Sequence, residues 1–511
     1  MMRVCVIGSG FAGSTVARDL ARSGAQVTIL EAGIDHNAKT PDNLAVRYKN
    51  AGPVEYVLRN RTFRNIGGTS EHWFGNTPRP LPADLRLRTT HGMADDWPFS
   101  YDEFEPDLDE AERTLGTAGT ADDPLAAPRK QPFPLPGFPL SYSDQLLRTG
   151  LAPHGVHVST TPQARATQPY RGRPACERLG LCLMCPIQAR PGPTSTTLAD
   201  ALATGRVTLV SQAFVTHLES GAGGRVTRAV WVDSSGQSQA TEADVFVVAC
   251  HAPDSSRLLL NSVSTEWPTG LGNREDVVGR YFMDNPRYAM IGSLPERTWP
   301  NRVFFQTGAI TRWRNPADRP QHGAFLIEIQ NFIPDASPAD IARTSKSWGL
   351  DLKQRIRESW GHEALMNAET EMLPSRDNRV MLDPDIKDPF GVPLSRFDVR
   401  FSDYDTTALA TAKATLLDLF DKLGAKNVGH RSMPRGTLDS CYHPAGGLRM
   451  GNDPKTSVTD GGGRVHGLKN LFAAGTCLFP SIGTANPTLT VTALAVRVAR
   501  KIREHGGRGE L

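Results

Sequence analysis

The first 31 residues contain the pattern that most restricts how this chain can fold. Residues 3–7 are rich in valine and isoleucine and predict a buried parallel strand. Residues 14–23 then show helical periodicity, and a second apolar strand over 26–30 ends on Glu31. Between the first strand and the helix lies a G-x-G-x-x-G motif formed by Gly8, Gly10 and Gly13. This order of elements predicts a dinucleotide-binding βαβ unit.

Each part of this motif has a physical role in holding a dinucleotide. The glycines permit a tight turn and let main-chain N–H groups approach a pyrophosphate at the N-terminus of a helix. Glu31 stands where a ribose hydroxyl would be held. NAD and FAD share this motif, so it does not choose between them. A glycine-rich turn without a ligand is the alternative, and the flanking strands and the acid argue against it.

Composition excludes several other classes of protein. The 511 residues suffice for two or three domains or for one large interleaved pair. The net charge of +3 is small and the basic residues are scattered, so we expect no nucleic-acid partner. No apolar run is long enough to span a membrane, and the N-terminus leads directly into a strand, without room for a signal peptide. The cysteines number seven, an odd number without the pattern of a disulfide-rich domain. Together these features predict a cytoplasmic protein, although export together with a partner stays open.

A second glycine-rich segment, Arg-Asn-Ile-Gly-Gly-Thr-Ser-Glu-His-Trp, covers residues 64–73. Its paired glycines, Gly67 and Gly68, allow the main chain to pass close to a flat ring. Ser70, His72 and Trp73 follow directly. The alternative is a packed loop with a structural aromatic residue.

A third group of motifs lies near the C-terminus. His443 stands in a glycine-rich stretch over 441–451, and a short buried strand ends at Gly475. Asn486, as a capping residue, and Pro487, in the first turn, predict the start of a helix that runs to about residue 503. The N-terminus of that helix offers a positive dipole to an electron-rich ring.

Together these motifs resemble the glucose–methanol–choline (GMC) family of FAD-dependent oxidoreductases. The resemblance covers nearly the whole chain and is nearest to the pyranose-oxidase, bacterial glycoside 3-oxidase and gluconate-dehydrogenase-like members. It implies an α/β fold, in which a Rossmann-type FAD-binding domain is interleaved with a substrate domain built on an antiparallel sheet with helices, as in p-hydroxybenzoate hydroxylase. The FAD domain would comprise residues 1–90, 196–290 and 436–511, and the substrate domain with its lid loops would comprise 91–195 and 291–435.

The resemblance also assigns site residues. His443 would be the general base that takes the substrate hydroxyl proton, and Asn486 its hydrogen-bonding partner. His72 matches a histidine that several members join covalently to the flavin, so that covalent and non-covalent FAD both stay open. Two positions depart from the family pattern. Asn285 stands where the family has histidine, and Phe74 stands where pyranose oxidase has threonine. The residues implied to bind FAD are Gly8, Gly10, Gly13, Glu31, Gly67, Gly68, Ser70, His72, Trp73, Val215, Gly475, Asn486, Pro487 and Thr488.

The function that the resemblance implies is oxidation of a secondary hydroxyl of a sugar or glycoside, at pyranose C2 or C3, to a ketone. O2 or another acceptor would then reoxidise the flavin. Two alternatives stay open. One is the catalytic subunit of a dehydrogenase that passes electrons to a quinone or cytochrome partner, and the other is a non-redox lyase of the same family.

Three of the seven cysteines are clustered and need a separate interpretation. Cys176, Cys182 and Cys185 include a C-x-x-C pair, which is compatible with zinc or an iron–sulfur cluster. No fourth ligand is adjacent, and Pro186 follows directly. The prediction is therefore a packed loop, with or without a redox-labile pair, and no metal site.

Overall fold

The computed structural model describes residues 1–35, 44–58, 62–333, 336–431 and 439–511. The strands, numbered in chain order, are β1 (Arg3–Ile7), β2 (Gln26–Leu30), β3 (Tyr48–Asn50), β4 (Thr117–Gly119), β5 (Leu135–Pro136), β6 (Ser159–Thr160), β7 (Gln163–Ala164), β8 (Val207–Val210), β9 (Phe214–Gly221), β10 (Arg225–Val232), β11 (Ser238–Glu242), β12 (Val245–Val248), β13 (Arg287–Ser293), β14 (Gln306–Ile310), β15 (Phe325–Gln330), β16 (Glu363–Thr370), β17 (Arg379–Lys387), β18 (Pro393–Asp398), β19 (Lys426–His430) and β20 (Leu471–Ala473). The α-helices are α1 (Phe11–Arg22), α2 (Leu87–His91), α3 (Tyr101–Leu115), α4 (Tyr142–Leu151), α5 (Thr197–Leu202), α6 (Ala252–Asn261), α7 (Arg319–His322), α8 (Pro338–Thr344), α9 (Gly349–Ser359), α10 (Asp403–Lys422) and α11 (Thr488–Gly507).

A five-stranded parallel sheet forms the centre of the molecule, with the strand order β20-β12-β1-β2-β8. Strands β1 and β2 pair in parallel and are joined by α1, as the first motif predicts. Strand β12 is buried along its whole length, which explains its continuous valine and phenylalanine run. Helices α1, α5 and α11 pack around this sheet, so the predicted Rossmann-type unit is confirmed.

A six-stranded antiparallel sheet forms the second layer, with the order β19-β13-β16-β15-β14-β6. Its side chains alternate between two environments, because successive residues of a strand point to opposite faces. Ile327 and Ile329 of β15 pack with Leu416 and Phe420 of α10 in a hydrophobic core. Glu328 of the same strand lies in the wall of a large cavity instead. The sheet therefore joins a hydrophobic core on one side to the candidate site on the other.

Three further three-stranded sheets complete the fold, with the orders β11-β10-β9, β17-β18-β3 and β5-β4-β7. The mixture of a parallel sheet, antiparallel sheets and helices confirms the predicted fold class. The domain boundaries stay a prediction. Helix α3, which we assigned to the substrate domain, packs on α11, and its Phe104 and Leu108 share the core of the parallel sheet.

Two expectations concern features that we predicted to be absent. Within the described ranges, none of the helices combines the length and the apolar character needed to cross a bilayer. The part of the chain that the structure describes also contains no group of three His, Cys, Asp or Glu residues arranged to hold a metal ion. Cys176, Cys182 and Cys185 line a small cavity of about 20 Å³. The cytoplasmic location stays a prediction.

Candidate active site

The turn between β1 and α1 can be built only from glycine at two positions. Gly8 has a φ of +105°, and a Cβ atom there would lie 2.6 Å from the carbonyl oxygen of Ala249. A Cβ atom on Gly13 would lie 2.0 Å from the carbonyl oxygen of Gly8. Gly10 occupies the N-cap position of α1 and contributes no side chain there. The main chain at the start of α1 is thus open to a ligand.

Glu31 lies directly beside this turn. Its Oε2 accepts hydrogen bonds from the main-chain N (2.9 Å) and the Oγ (2.6 Å) of Ser9, and its Oε1 accepts one from Gly33 N (2.8 Å). Burial raises the pKa of the Glu31 carboxyl, and these three hydrogen bonds act in the opposite direction. The side chain is fixed in the cavity wall, where a carboxylate oxygen can still accept a second donor.

The second motif is attached to the first by two hydrogen bonds. Gly67 N donates to Ser9 Oγ (2.8 Å), and Phe11 N donates to Ser70 Oγ (3.4 Å). A 3₁₀ helix over Gly68–Glu71 follows. These contacts bring the residues around the start of α1 and the predicted ring-binding segment into one wall.

Neighbouring groups hold His72 and Trp73 in place. The His72 ring lies 4.3 Å from the ring of Phe63. The indole Nε1 of Trp73 donates to the carbonyl oxygen of Pro191 (2.8 Å), and its ring meets Phe11 edge-on at 5.6 Å. Both side chains line the cavity.

The histidine of the third motif has a defined protonation state. The main-chain N of His443 donates to Asp284 Oδ1 (2.9 Å), and its Nδ1 lies 3.0 Å from Asn285 Oδ1. Both amide hydrogens of Asn285 are used, because Nδ2 donates to the carbonyl oxygens of Thr370 (3.0 Å) and Gly483 (2.9 Å). Oδ1 must therefore accept, so Nδ1 of His443 carries the proton and Nε2 carries the lone pair.

The surroundings also keep this imidazole neutral. Burial, with a smaller contribution from the positive charge of Arg287, lowers the pKa of His443 to about 3. Among the residues that the structure describes, the hydrogen bond of the His443 ring is made by Nδ1, and Nε2 is left for a ligand. His443 lines the cavity and can act as a proton acceptor at neutral pH.

Asn486 differs from the expectation in one respect. Helix α11 starts at Thr488 with Pro487 as the N-cap residue, and the Asn486 side chain does not cap it. Instead, Asn486 Nδ2 lies 3.3 Å from both Glu328 Oε1 and Glu369 Oε2. The helix thus starts one residue later than predicted, and the asparagine joins α11 to the antiparallel sheet.

One cavity of about 980 Å³ collects nearly all of the predicted residues, a size at the upper end of small-molecule sites. Gly13 and Gly67 lie outside its lining, since they act through packing and main-chain geometry. The predicted residues in its lining are Gly8, Gly10, Glu31, Gly68, Ser70, His72, Trp73, Val215, His443, Gly475, Asn486, Pro487 and Thr488. The cavity runs from the N-terminus of α1 to that of α11, which fits an extended dinucleotide.

Comparison with known proteins identifies the family. A sequence model described as "GMC oxidoreductase" matches residues 374–495, and one described as "FAD dependent oxidoreductase" matches residues 3–46. The fructose dehydrogenase large subunit of Gluconobacter japonicus is 30% identical, over 98% of this chain and 97% of the relative. The chain belongs to the GMC oxidoreductase family.

Further similarities agree with this assignment. The 6'''-hydroxyparomomycin C oxidase of Streptomyces lividus is 28% identical to this protein, over 98% of this chain and 91% of the relative. A solved structure of formate oxidase superposes with a TM-score of 0.70 at 17% identity and covers 99% of this chain and 98% of that one, which shows the shared fold. The protein is an FAD-dependent oxidoreductase.

Sequence reasoning missed several residues of the cavity wall in this GMC protein. Glu328 and Glu369 are 2% and 4% exposed, and Asn367 is buried beside them. His251, at the N-cap of α6, is half-buried in the wall, and its Nδ1 has no partner among the described residues. A local signal was present for Glu328 alone, since a single glutamate interrupts the apolar run Phe-Leu-Ile-Glu-Ile of β15.

Proposed function

We propose that this protein oxidises a secondary hydroxyl group of a sugar or glycoside, at pyranose C2 or C3, to a ketone. The observation that carries the proposal is the arrangement at His443, where Asn285 fixes the protonated nitrogen and leaves Nε2 as a base in the cavity. An alcohol carbon gives up a hydride only when its hydroxyl proton also leaves. A neutral imidazole in the substrate cavity serves that need.

The proposed roles in cofactor binding follow the order of the cavity wall. Gly8, Gly10 and the start of α1 would hold the pyrophosphate, and Glu31 a ribose hydroxyl. Val215, on β9, would contact the adenine. The flavin ring would lie between two groups of residues, namely Gly68, Ser70, His72 and Trp73 on one side and Gly475, Pro487 and Thr488 on the other. FAD bound there supplies the acceptor for a hydride from the substrate carbon.

His443 Nε2 accepts the hydroxyl proton in this proposal, and Asn285 holds the imidazole as the charge develops. Asn486 acts as the partner of His443 on the substrate oxygen. Its contacts with the two glutamates, at 3.3 Å, are long for N–H···O hydrogen bonds, so an amide hydrogen can turn toward the substrate at small cost.

Two observations support a sugar or glycoside as the substrate. The cavity wall contributed by β15 and β16 is polar, with Glu328, Gln330, Asn367 and Glu369 in its lining. Such a wall suits a ligand with many hydroxyl groups. One relative is named for fructose and another for 6'''-hydroxyparomomycin C.

The deciding experiment is anaerobic mixing of the purified holoenzyme with sugars, glycosides, sterols, choline and simple alcohols, followed by flavin absorbance. We expect sugars or glycosides to bleach the flavin. Bleaching by a non-sugar alone would keep the reaction class and reject the substrate class. Absence of bleaching by every compound would reject the proposal in favour of the non-redox alternative.

A second candidate is the catalytic subunit of a dehydrogenase that passes electrons to a separate partner. It is favoured by the relative with 30% identity, which is named as the large subunit of a dehydrogenase. The aromatic residue Phe74, stacked at 3.7 Å on Phe305 in the cavity wall, also replaces the threonine of pyranose oxidase. Admitting air to the bleached enzyme separates the two candidates, since an oxidase regains its absorbance and releases H2O2, whereas the dehydrogenase needs an added dye or quinone.

A further inference from the structure

Two buried carboxyl groups share one side of the substrate cavity. In the register of β15 and β16, Glu328 lies opposite Asn367, and Glu369 lies two residues farther along β16. Their side chains therefore stand on the same face of the sheet as diagonal neighbours. Both acids are almost completely buried, and both line the cavity.

Neutral groups supply the hydrogen bonds to these acids, among them the Cys441 side chain at Glu369 and a contact between the two carboxyl groups themselves. Asn76 Nδ2 donates to Glu328 Oε1 (2.7 Å), and Asn367 Nδ2 lies 3.3 Å from Glu369 Oε1. The amide of Asn486 adds its two longer contacts. These donors satisfy oxygen atoms but bring no positive charge.

No cation among the described residues forms an ion pair with either acid. Arg287 is the nearest candidate, because it pairs in register with Glu369 across β13 and β16. Its guanidinium is engaged elsewhere, with Nε 2.7 Å from Asp439 Oδ1. Burial raises the pKa of both glutamates, and for Glu369 the charge of Glu328 raises it further. The charge of Arg287 acts in the opposite direction on Glu369 but does not outweigh burial.

The same wall contains acceptors that have no donor. Asn367 and Asn486 are 1% and 8% exposed, and the Oδ1 atom of each has no hydrogen-bond partner among the described residues. Two carboxyl groups and two amide oxygens therefore lie together without a matching set of donors. A buried arrangement of this kind is costly unless a ligand satisfies it.

We propose that Glu328 and Glu369 bind a protonated amino group of the substrate, so that the preferred substrate is an amino sugar or a glycoside that carries one. An ammonium group offers three donors and no acceptor, and its positive charge stabilises the ionised form of a carboxyl group that burial otherwise keeps protonated. A sugar hydroxyl offers one donor and no charge. A metal ion is disfavoured, because the described residues provide no group of three suitable ligands. This inference rests on the proposed function.

The test compares matched substrates on the holoenzyme. Anaerobic flavin reduction is measured with methyl α-glucoside and with its 2-amino, 3-amino and 6-amino deoxy counterparts. We expect at least one amino glycoside to exceed the parent in kcat/KM by about tenfold or more, the equivalent of about 1.4 kcal/mol. N-acetylation of that compound removes its charge and should abolish the advantage.

The variants Glu328→Gln and Glu369→Gln keep the shape of each side chain and remove its charge. We expect each to reduce the ratio of kcat/KM for the amino glycoside to that for the parent glycoside, and to weaken binding of the amino compound in calorimetry. Glu242→Gln, at an exposed position on β11, is the matched control and should keep the ratio of the unmodified enzyme. The comparison of substrates on the unmodified enzyme stands even when a variant does not fold.

The outcomes separate this inference from the function on which it rests. Bleaching by neutral glycosides, with no advantage for any amino counterpart, would overturn the ammonium subsite and leave the proposed function standing. A preference that persists unchanged in both glutamine variants would also overturn it. Failure of every glycoside, neutral or aminated, would reject the proposed function itself.

Discussion

Nδ1 of His443 donates its hydrogen to Oδ1 of Asn285, whose own amide hydrogens are both held by the carbonyl oxygens of Thr370 and Gly483. The amide cannot rotate without breaking two buried hydrogen bonds. The tautomer of the imidazole is thus determined by main-chain groups on two other segments. Asn285, which stands where the family pattern has histidine, thus positions the His443 ring.

This relationship predicts the effect of Asn285→Ala. Loss of a buried hydrogen-bond partner costs about 1–3 kcal/mol, so we expect the rate of flavin reduction to fall roughly tenfold or more. The effect should appear in kcat rather than in KM, because the ring remains but its tautomer is no longer fixed. Asn285→Asp, which restores an acceptor, should recover part of the rate and raise the pKa of His443. Equal losses in both variants would contradict the positioning role.

Removal of the proposed base, His443, should have a larger effect. We expect His443→Ala to slow flavin reduction by about 10²- to 10⁴-fold, the usual contribution of a general base. The FAD content of the purified variant, measured by absorbance, should stay unchanged. A rate within about twofold of the unmodified enzyme would reject His443 as the base.

The pH dependence follows from the lowered pKa of His443. Because its pKa lies at about 3, the imidazole is already neutral throughout the neutral and mildly acidic range. We therefore expect kcat/KM for a neutral glycoside to show no acidic limb near pH 6.5, the value of an ordinary histidine. A stopped-flow pH series on the unmodified enzyme and on Asn285→Asp checks this, since the raised pKa in the variant should move a limb into the measurable range.

The two buried glutamates predict an unusual stability profile. Their pKa values are raised in the folded state, so the folded chain holds a proton that the unfolded chain has released above about pH 4.5. The contribution of the pair to the free energy of unfolding therefore falls as the pH rises above about 4.5. Glu369→Gln removes this loss, and its melting temperature relative to the unmodified enzyme should increase as the pH is raised from about 4.5. A difference that does not change with pH would contradict the shared burial of the two acids.

Covalent attachment of FAD through His72 can be tested directly. With a covalent link, acid-precipitated protein remains yellow and releases free FAD only after His72→Ala. His251→Ala is a useful control, because His251 also lies in the cavity wall but outside the predicted ring-binding segment. Release of the flavin from unmodified protein would show that His72 only contacts the ring.

The parts of the site that were predictable are those encoded by short segments. The turn around Gly8 and Gly13 is dictated by steric contacts between neighbouring elements, so glycine spacing reveals it. His443 could be located from its motif, but its tautomer could not, since Asn285 lies 158 residues away. The pairing of Glu328 with Glu369 could not be predicted for the same reason, because only the register of β15 and β16 brings the two acids together. The local sequence of a strand does not specify which residues of a distant strand it pairs with.

The alternation along β15 and β16 has a practical consequence for changing this enzyme. Ile327, Ile329 and Ala368 belong to the core under α10, whereas Glu328 and Glu369 belong to the cavity. Alternate positions of the same two strands thus have different surroundings. One set packs in the hydrophobic core, and the other set lines the cavity. A library restricted to the cavity-facing positions would change the ligand-binding wall and leave the apolar packing beneath α10 unaltered, so that new substrate preferences can be selected without repacking the core.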